Sequence, residues 1–565
     1  MKLKKEVNKI ICSAFEKAGI EATPIPVSEA TKPEFGDYQF NGAMALSKKL
    51  KKNPREIAAE IVAALDLTGI LAKAEIAGPG FINLWLNDLW VAKQCQAAWQ
   101  DARLGVAKKA YPVKVVVDYS GPNMAKQMHV GHLRSTIIGD TLSNLLTFLG
   151  DEVIRQNHVG DWGTQFGMLI AYLEERGEDG SGSLKDLEQF YKDAKKRFDE
   201  DSAFADKARA YVVKIQQGDT HCLTLWKKFI DISLGHCEEV YEKLDVHLTR
   251  KDVKAESFYN DALPEVVEQL RMVQMLQESD GAQCVFLEGE EIPVIVQKGD
   301  GGYLYATTDL AALRYRANVL GAKRISYVVD ARQGGHFQQV FNVAKTSGLV
   351  PADVTLEHIA FGTMMDANGK PFKTRDGGTV KLIDLLDEAI VKAKAAIKAK
   401  EDYSEAEIER VAKIIGIGAV KYADLSINRE SNYIFNWDKM LSFEGNTSLY
   451  MQYAYARIQS IFRKYDQKIE GTIIIGDFLE HRLGVMLLRF EEVLERAAVD
   501  AAPNQITTYL YELVTLFMRF YEQNPILKEG IEAETRVSRL LLASLTAKTI
   551  KQGLNILGID ILEKL

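Results

Sequence analysis

One stretch limits what this chain can fold into more than any other. Val113-Lys114-Val115-Val116-Val117 reads as a short buried strand. A loop later, Leu133, Ile137, Ile138, Leu142, Leu145, Leu146 and Leu149 recur at helical spacing until Gly150 ends the helix. A strand feeding such a helix is the building unit of a parallel sheet. The loop between them closes on His129-Val130-Gly131-His132, which puts two imidazoles at the start of the helix. Amide N–H groups are unpaired there and the helix dipole is positive, so anions are attracted. Histidine donors at that point suit a phosphate whose negative charge grows during reaction. Gly131 leaves the backbone bare enough for a flat base. Two polar helix caps would give the same tetrapeptide, so the context decides.

The same strand–helix rhythm runs from 111 to 385, with strand signals at 113–118, 152–157, 293–297, 325–329 and 356–361. This predicts a doubly wound parallel sheet. Residues 175–290 break the rhythm; they are charged and helical and read as an insertion. No Walker loop and no Gly-x-Gly-x-x-Gly follows a strand, which disfavours those nucleotide folds. With 565 residues the chain needs several cores. Residues 1–108 read as a small α/β module, with helices from Lys4 and from Asn53-Pro54 and a strand over Ile76–Leu86 interrupted at Gly78-Pro79-Gly80. Residues 109–385 form the sheet domain. From 386 to 565 the pattern is helical, with a capping box at Ser404-Glu405-Ala406-Glu407.

The chain is 47% hydrophobic and 26% charged, the balance of a globular protein, and no apolar run approaches the ~18 residues of a membrane helix. The start, Met1-Lys2-Leu3-Lys4-Lys5-Glu6, is amphipathic and shows no secretory signal. Five cysteines without a Cys-x-x-Cys pair fit a reducing cytosol, so a cytoplasmic location is expected. His221-Cys222 and His236-Cys237 lack a carboxylate to complete a ligand set, and no bound metal is expected. The net charge of −8 leaves room for local basic faces only.

Further blocks join the histidines. Asp118-Tyr119-Ser120-Gly121-Pro122-Asn123 precedes them, and His132-Leu133-Arg134-Ser135-Thr136 continues into the helix. Tyr305 and Asp309 stand four apart at a strand–helix junction, where carboxylate and phenol could grip a guanidinium; Asp309 could equally cap its helix. Asp330-Ala331-Arg332-Gln333-Gly334-Gly335-His336 follows another strand, and Asn157 to Gln165 forms a further block. In order and over nearly the whole chain, these blocks resemble the arginyl-tRNA synthetases, a family of class I aminoacyl-tRNA synthetases.

The resemblance implies a class I Rossmann-like catalytic domain with a helical insertion, a small α/β N-terminal domain that contacts the tRNA elbow, and an all-α anticodon-binding bundle. It implies ATP-dependent joining of L-arginine to tRNA(Arg) through an arginyl-adenylate, with magnesium accompanying ATP, no tightly bound metal and no membrane. A monomer is the family habit, and tRNA is usually needed for amino-acid activation. By the same resemblance, Asp118, Ser120 and Asn123 hold the arginine backbone, Gln333 is a substrate-contacting glutamine, and Tyr305 and Asp309 read the arginine side chain. His129, Gly131, His132 and His336 line the ATP site. The second class I signature is degenerate here: Gly369-Lys370-Pro371-Phe372-Lys373-Thr374-Arg375 keeps Lys370, Lys373 and Arg375 as phosphate cations, or else forms a solvated basic turn.

For tRNA, Tyr38, Gln39 and Asn41 are candidate base contacts, Tyr38 being equally readable as a core residue. Tyr450, Tyr453 and Arg457 fall on one helix face suited to splayed bases, although such a stripe is commonly core. A small-molecule nucleotidylyltransferase and a non-catalytic RNA-binding relative are the rival readings. A cysteinyl enzyme would need zinc-binding cysteines that the chain lacks.

Overall fold

The computed structural model describes residues 3–21, 24–177, 187–366, 368–372, 380–397 and 403–565. The chain forms two compact units, one of Met1–Lys108, Phe443–Asn555 and Ile561–Leu565, the other of Lys109–Ser442 and Ile556–Asp560.

The second unit is organised by a four-stranded parallel sheet, in the order Thr355–His358, Arg324–Tyr327, Lys114–Asp118, Glu152–Gln156. From Lys114–Asp118 the chain winds to one side and later returns to the other. That reversal opens a crevice beyond the carboxyl ends of the two central strands, where doubly wound sheets bind ligands. Val115, Val116 and Val117 are buried, as a strand covered on both faces requires.

Of the expected strands, Val294–Gln297 is placed elsewhere. It pairs antiparallel with Ala282–Val285, which pairs in turn with Leu276–Ser279. Its alternating burial marks one covered face, whereas a central parallel strand is covered on both. The insertion also holds helices Leu187–Glu200, Ser202–Gln216, Thr220–Leu244 and Leu263–Met272.

The helix Val130–Leu149 is buried around most of its circumference, the mark of a core helix. The sheet covers one side, and helices Leu382–Ile397 and Glu405–Leu425 contact it as well. Asp424 forms a buried ion pair with Arg134, at 3.0 Å, and Arg134 also donates to the carbonyls of Gly362 and Ser431. These two helices were expected to open the C-terminal bundle at 386. They instead pack on each other and on the helix Val130–Leu149, and the second unit runs on to Ser442. The Ser404–Glu407 capping box is present, but it begins a helix and not a structural unit.

In the first unit, the N-terminal module has an antiparallel sheet ordered Ser28–Glu29, Tyr38–Phe40, Phe81–Leu86, Leu71–Ala77. The interrupted strand expected over 76–86 is a hairpin turning at Gly78 and Gly80, both at positive φ. Helices Ser448–Lys464, Phe478–Leu488, Phe490–Val499, Asn504–Gln523 and Ala533–Ile556 complete this unit. Helix Phe478–Leu488 lies so close to helix Asp88–Gln100 that a Cβ at Gly484 would meet Val91 at 2.8 Å and the Cys95 sulfur at 3.3 Å. Among the described residues no helix is long and apolar enough to cross a membrane.

Candidate active site

A cleft of about 660 Å³ opens beyond the carboxyl ends of strands Lys114–Asp118 and Arg324–Tyr327. Its walls bring together Asp118, Ser120, Asn123, His129, Gly131, His132, Tyr305, Asp309, Gln333 and His336, residues spread over more than two hundred positions of sequence. Its two ends differ chemically.

At one end stand the paired imidazoles, with ring centres 4.0 Å apart. His129 caps the helix: its Nδ1 accepts the Gly131 N–H at 3.0 Å. The His132 Nδ1 accepts the His129 N–H at 3.1 Å. A neutral ring that accepts at Nδ1 carries its proton at Nε2. Burial lowers the pKa of His132 to about 3, helped by His129 alongside. Burial and then Lys126 lower that of His129. Both rings are therefore neutral donors beside the unpaired amides of the helix start. A Cβ at Gly131 would lie 2.7 Å from the His129 ring and force that ring to shift.

At the other end the cleft is acidic. His336 Nε2 donates to Asp309 Oδ2 at 2.6 Å, and the His336 ring lies 5.0 Å from that of Tyr305. Tyr305 is 66% exposed, so its phenol is free to meet a ligand. Glu256, which sequence reading missed, lines the same end. Burial, with Asp161 and Asp309 nearby, raises its carboxyl pKa to about 7. Only the cleft reveals it, since Glu256 opens a short 3₁₀ turn inside the insertion, far from any recognisable block. His336, expected among the ATP residues, is thus tied to the acid–phenol pair.

Between the ends, Asp118 is buried, accepting from the His158 N–H at 3.2 Å and from Arg316 at 2.8 Å. Arg316 has no exposed surface and also donates to Gln156 at 2.6 Å. It sits in a π-helical turn, Tyr315–Val319, the kind of irregularity that gathers at functional sites. Sequence reading missed Arg316, hidden in a helical Arg-Tyr-Arg run. Ser120 adopts a positive φ of 74°, strained for a serine. Its hydroxyl pairs with the Tyr241 hydroxyl at 2.7 Å and accepts from Thr136 at 3.0 Å. These bonds fix the Ser120 loop, and Ser120 keeps its place in the cleft wall. Asn123 is exposed at the rim, lying over Gly160, where a Cβ would approach its Oδ1 to 2.4 Å. Of the 157–165 block His158 lines the cleft; Asn157 accepts from the Gly121 N–H and donates to Tyr241, and Asp161 accepts from the Ser257 N–H.

Lys370 is exposed in a turn, its N–H bonded to Asp366, and does not line the cleft. Lys373 and Arg375 lie outside the described residues.

Two further clusters lie in the first unit. Tyr450, Tyr453 and Arg457 share one partly exposed face, extended by residues that sequence reading missed. Tyr450 neighbours Tyr511 at 6.1 Å, Tyr453 meets Phe443 at 6.2 Å, and Arg457 lies 5.2 Å from the Tyr521 ring. Tyr38 has no exposed surface and is covered by the Arg489 guanidinium, so its ring cannot stack on a base; its core reading is the correct one. Gln39 is half-buried and bonded to Asn83, and Asn41 is exposed.

A parallel sheet that reverses at its centre, with neutral imidazole donors heading a helix over a cleft of nucleotide size, fits a class I tRNA synthetase. Residues 94–437 match the family model "tRNA synthetases class I (R), catalytic domain", residues 1–86 the "Arginyl tRNA synthetase N terminal domain", and residues 451–565 the "DALR anticodon binding domain". The chain belongs to the arginyl-tRNA synthetase family. Curated relatives named arginine–tRNA ligase include that of Cellvibrio japonicus, 54% identical with both chains fully covered, and that of Laribacter hongkongensis, 54% identical over 98% of each chain. Among solved structures, the arginyl-tRNA synthetase of Plasmodium falciparum is similar with a TM-score of 0.88 at 30% identity, both chains fully covered. That of Thermus thermophilus shares the fold, with a TM-score of 0.83 at 22% identity and full coverage.

Proposed function

We propose that this protein joins L-arginine to tRNA(Arg) in two steps, using ATP that enters with magnesium. The observation that carries this reading is the polarity of the cleft. Donors and a helix start at one end suit phosphates; three acids and a phenol around the rest suit an amino acid that is cationic at both its amine and its guanidinium.

Asp309, Tyr305 and Glu256 hold the guanidinium, with His336 orienting Asp309. Asp118, itself oriented by Arg316, receives the α-ammonium, and Asn123 and Gln333 position the carboxylate. A carboxylate oxygen then attacks the α-phosphorus of ATP: the new P–O bond forms, the bond to the β-phosphate oxygen breaks, and pyrophosphate leaves. The Nε2–H groups of His129 and His132 stabilise the charge developing on the phosphates, and the bare backbone at Gly131 admits the base. Lys370, Lys373 and Arg375 neutralise the departing pyrophosphate. The terminal ribose hydroxyl of the tRNA, the 2′-OH in the class I pattern, next attacks the arginyl carbonyl, and AMP leaves. Gln39 and Asn41 meet the tRNA elbow, and Tyr450, Tyr453 and Arg457 meet the anticodon loop. The enzyme acts as a cytoplasmic monomer.

ATP–pyrophosphate exchange tests this directly. Exchange is expected with arginine alone among the amino acids, and only when tRNA(Arg) is present. Exchange with another amino acid in place of arginine would refute the reading.

Glu256 adds a pH signature. A carboxyl that titrates at about 7 is neutral below that pH and cannot pair with a guanidinium. The KM for arginine should therefore rise as pH falls through 7, while the KM for ATP does not follow it. Glu256→Gln should flatten that dependence and hold arginine weakly at every pH; an unchanged profile in the variant removes Glu256 from the side-chain pocket.

A further inference from the structure

In the first unit, one loop of the N-terminal module is held by side chains from the far end of the sequence. His481, on helix Phe478–Leu488, sits between two carboxylates of that module. Its Nδ1 is 2.5 Å from Asp88, and its Nε2 is 3.0 and 3.1 Å from the two oxygens of Asp37. Asp37 also accepts the Leu86 N–H at 2.8 Å. Arg489, just past the same helix, donates to the Asp37 carbonyl at 2.9 Å and to Glu29 at 3.1 Å, and its guanidinium covers the Tyr38 ring at 5.2 Å. The bare Gly484 lets the helix seat directly on Val91 and Cys95. Gln39 and Asn41 follow immediately on the pinned residues.

We propose that His481 is a positioning residue for tRNA: it locks Asp37, at the head of the strand Tyr38–Phe40, to the C-terminal helices, so that the elbow contacts and the anticodon contacts meet the tRNA as one preformed surface. This rests on the assignment of Gln39, Asn41, Tyr450, Tyr453 and Arg457 to tRNA given above. Two contact sets fixed to one body bind with the second contact already in place. A strand end free to shift against those helices would have to be fixed in place at the moment of binding, at an entropic cost.

The charge around the clamp sets its pH response. Asp37 and Asp88 face His481 directly; Arg482 and Arg489 flank it on its own stretch, Glu29 lies beyond on the sheet, and Asp477 caps the helix. Burial opposes the charged ring, but Asp37 and Asp88 outweigh it and raise the His481 pKa. The ring is charged, and the clamp tightest, below that raised pKa. The charge is lost, and the clamp loosens, as pH rises through it.

The test uses the full-length enzyme and tRNA(Arg). Asp88 is exposed, so Asp88→Asn weakens the clamp without disturbing the core; His481→Gln removes its charge. Both variants should raise the KM for tRNA, by about tenfold for His481→Gln, with kcat at saturating tRNA and the KM for arginine unchanged. Wild-type tRNA affinity should weaken as pH rises through the raised His481 pKa, with the inflection at lower pH in Asp88→Asn and absent in His481→Gln. Adding Gln39→Ala to His481→Gln should cost little beyond the worse single variant. If Gln39→Ala raises the KM for tRNA while His481→Gln does not, the clamp is refuted and the elbow reading stands. If His481→Gln depresses kcat and arginine affinity alike while Asp88→Asn is silent, His481 is a structural prop and the proposal fails. If Gln39→Ala leaves the KM for tRNA unchanged, the elbow reading itself fails and takes the clamp with it.

Discussion

Replacing Asp309 by alanine should cost about 10³-fold or more in kcat/KM for arginine, with the protein still folded and ATP still bound. The size follows from what the acidic end of the cleft is built to do. A site that hydrogen-bonds its substrate rejects molecules lacking the matching group by roughly 10⁴, because its polar atoms are then left unpaired. The converse holds when the site loses its acid: the guanidinium must shed water and finds no carboxylate fork to replace it. Asp309 lies on the helix Tyr305–Arg314 and lines the cleft, and alanine suits a helix, so truncation leaves the backbone in place. Asp309→Asn separates charge from shape. It can still accept from His336, which now donates 2.6 Å away, yet its amide offers a weaker, neutral partner, so an intermediate loss is expected. Lysine does not benefit in either variant, since a point charge never matched the planar site. Pyrophosphate exchange with arginine and lysine in the presence of tRNA, set beside thermal unfolding, checks all of this. An Asp309→Ala enzyme that keeps its arginine kcat/KM would remove the acid from its assigned role.

Much of this site could be read before any coordinates. Residues that act at element ends leave local signals: the histidines head a helix after a strand, and Tyr305 and Asp309 open another. What escaped was whatever the fold alone assembles. Glu256 lines the cleft from within the insertion, and Arg316 reaches Asp118 from the π-helical turn that continues the helix of Tyr305 and Asp309, a contact that no local pattern announces. Tyr38 misled because a buried aromatic and a base-stacking aromatic look alike in sequence; burial under Arg489 tells them apart. The strand near 294 has the composition of a sheet core and only its pairing shows otherwise. The helices after 382 read correctly as helices, but a helix does not announce its neighbours, and Asp424 reaching back to Arg134 is a contact between distant segments.

The paired imidazoles give the second large effect, and their hydrogen bonds allow it to be divided. Each ring spends Nδ1 on a backbone N–H and presents Nε2–H to the cleft. At position 132 the two duties can be separated by side-chain length. Asparagine places its carbonyl oxygen near the site of Nδ1 and so keeps the bond to the His129 N–H, but it reaches no further. Glutamine places its amide near the site of Nε2 and gives up the inner bond. If transition-state stabilisation comes from the outer donor, His132→Asn should fold normally and lose about 10²–10³ in kcat for adenylate formation, the usual cost of one preorganised donor. His132→Gln should retain more activity than His132→Asn despite a less well-capped helix. Because burial holds the His132 pKa down at about 3, the ring is neutral throughout the neutral range, and wild-type kcat should show no inflection from it there. The comparison is sharp, because charge on the ring would predict a different pattern: activity rising as pH falls, with glutamine and asparagine equally poor. Single-turnover adenylate formation by the two variants, followed against pH, distinguishes them. An asparagine variant as fast as wild type would show that these rings only cap the helix, and the phosphates would then need another set of donors.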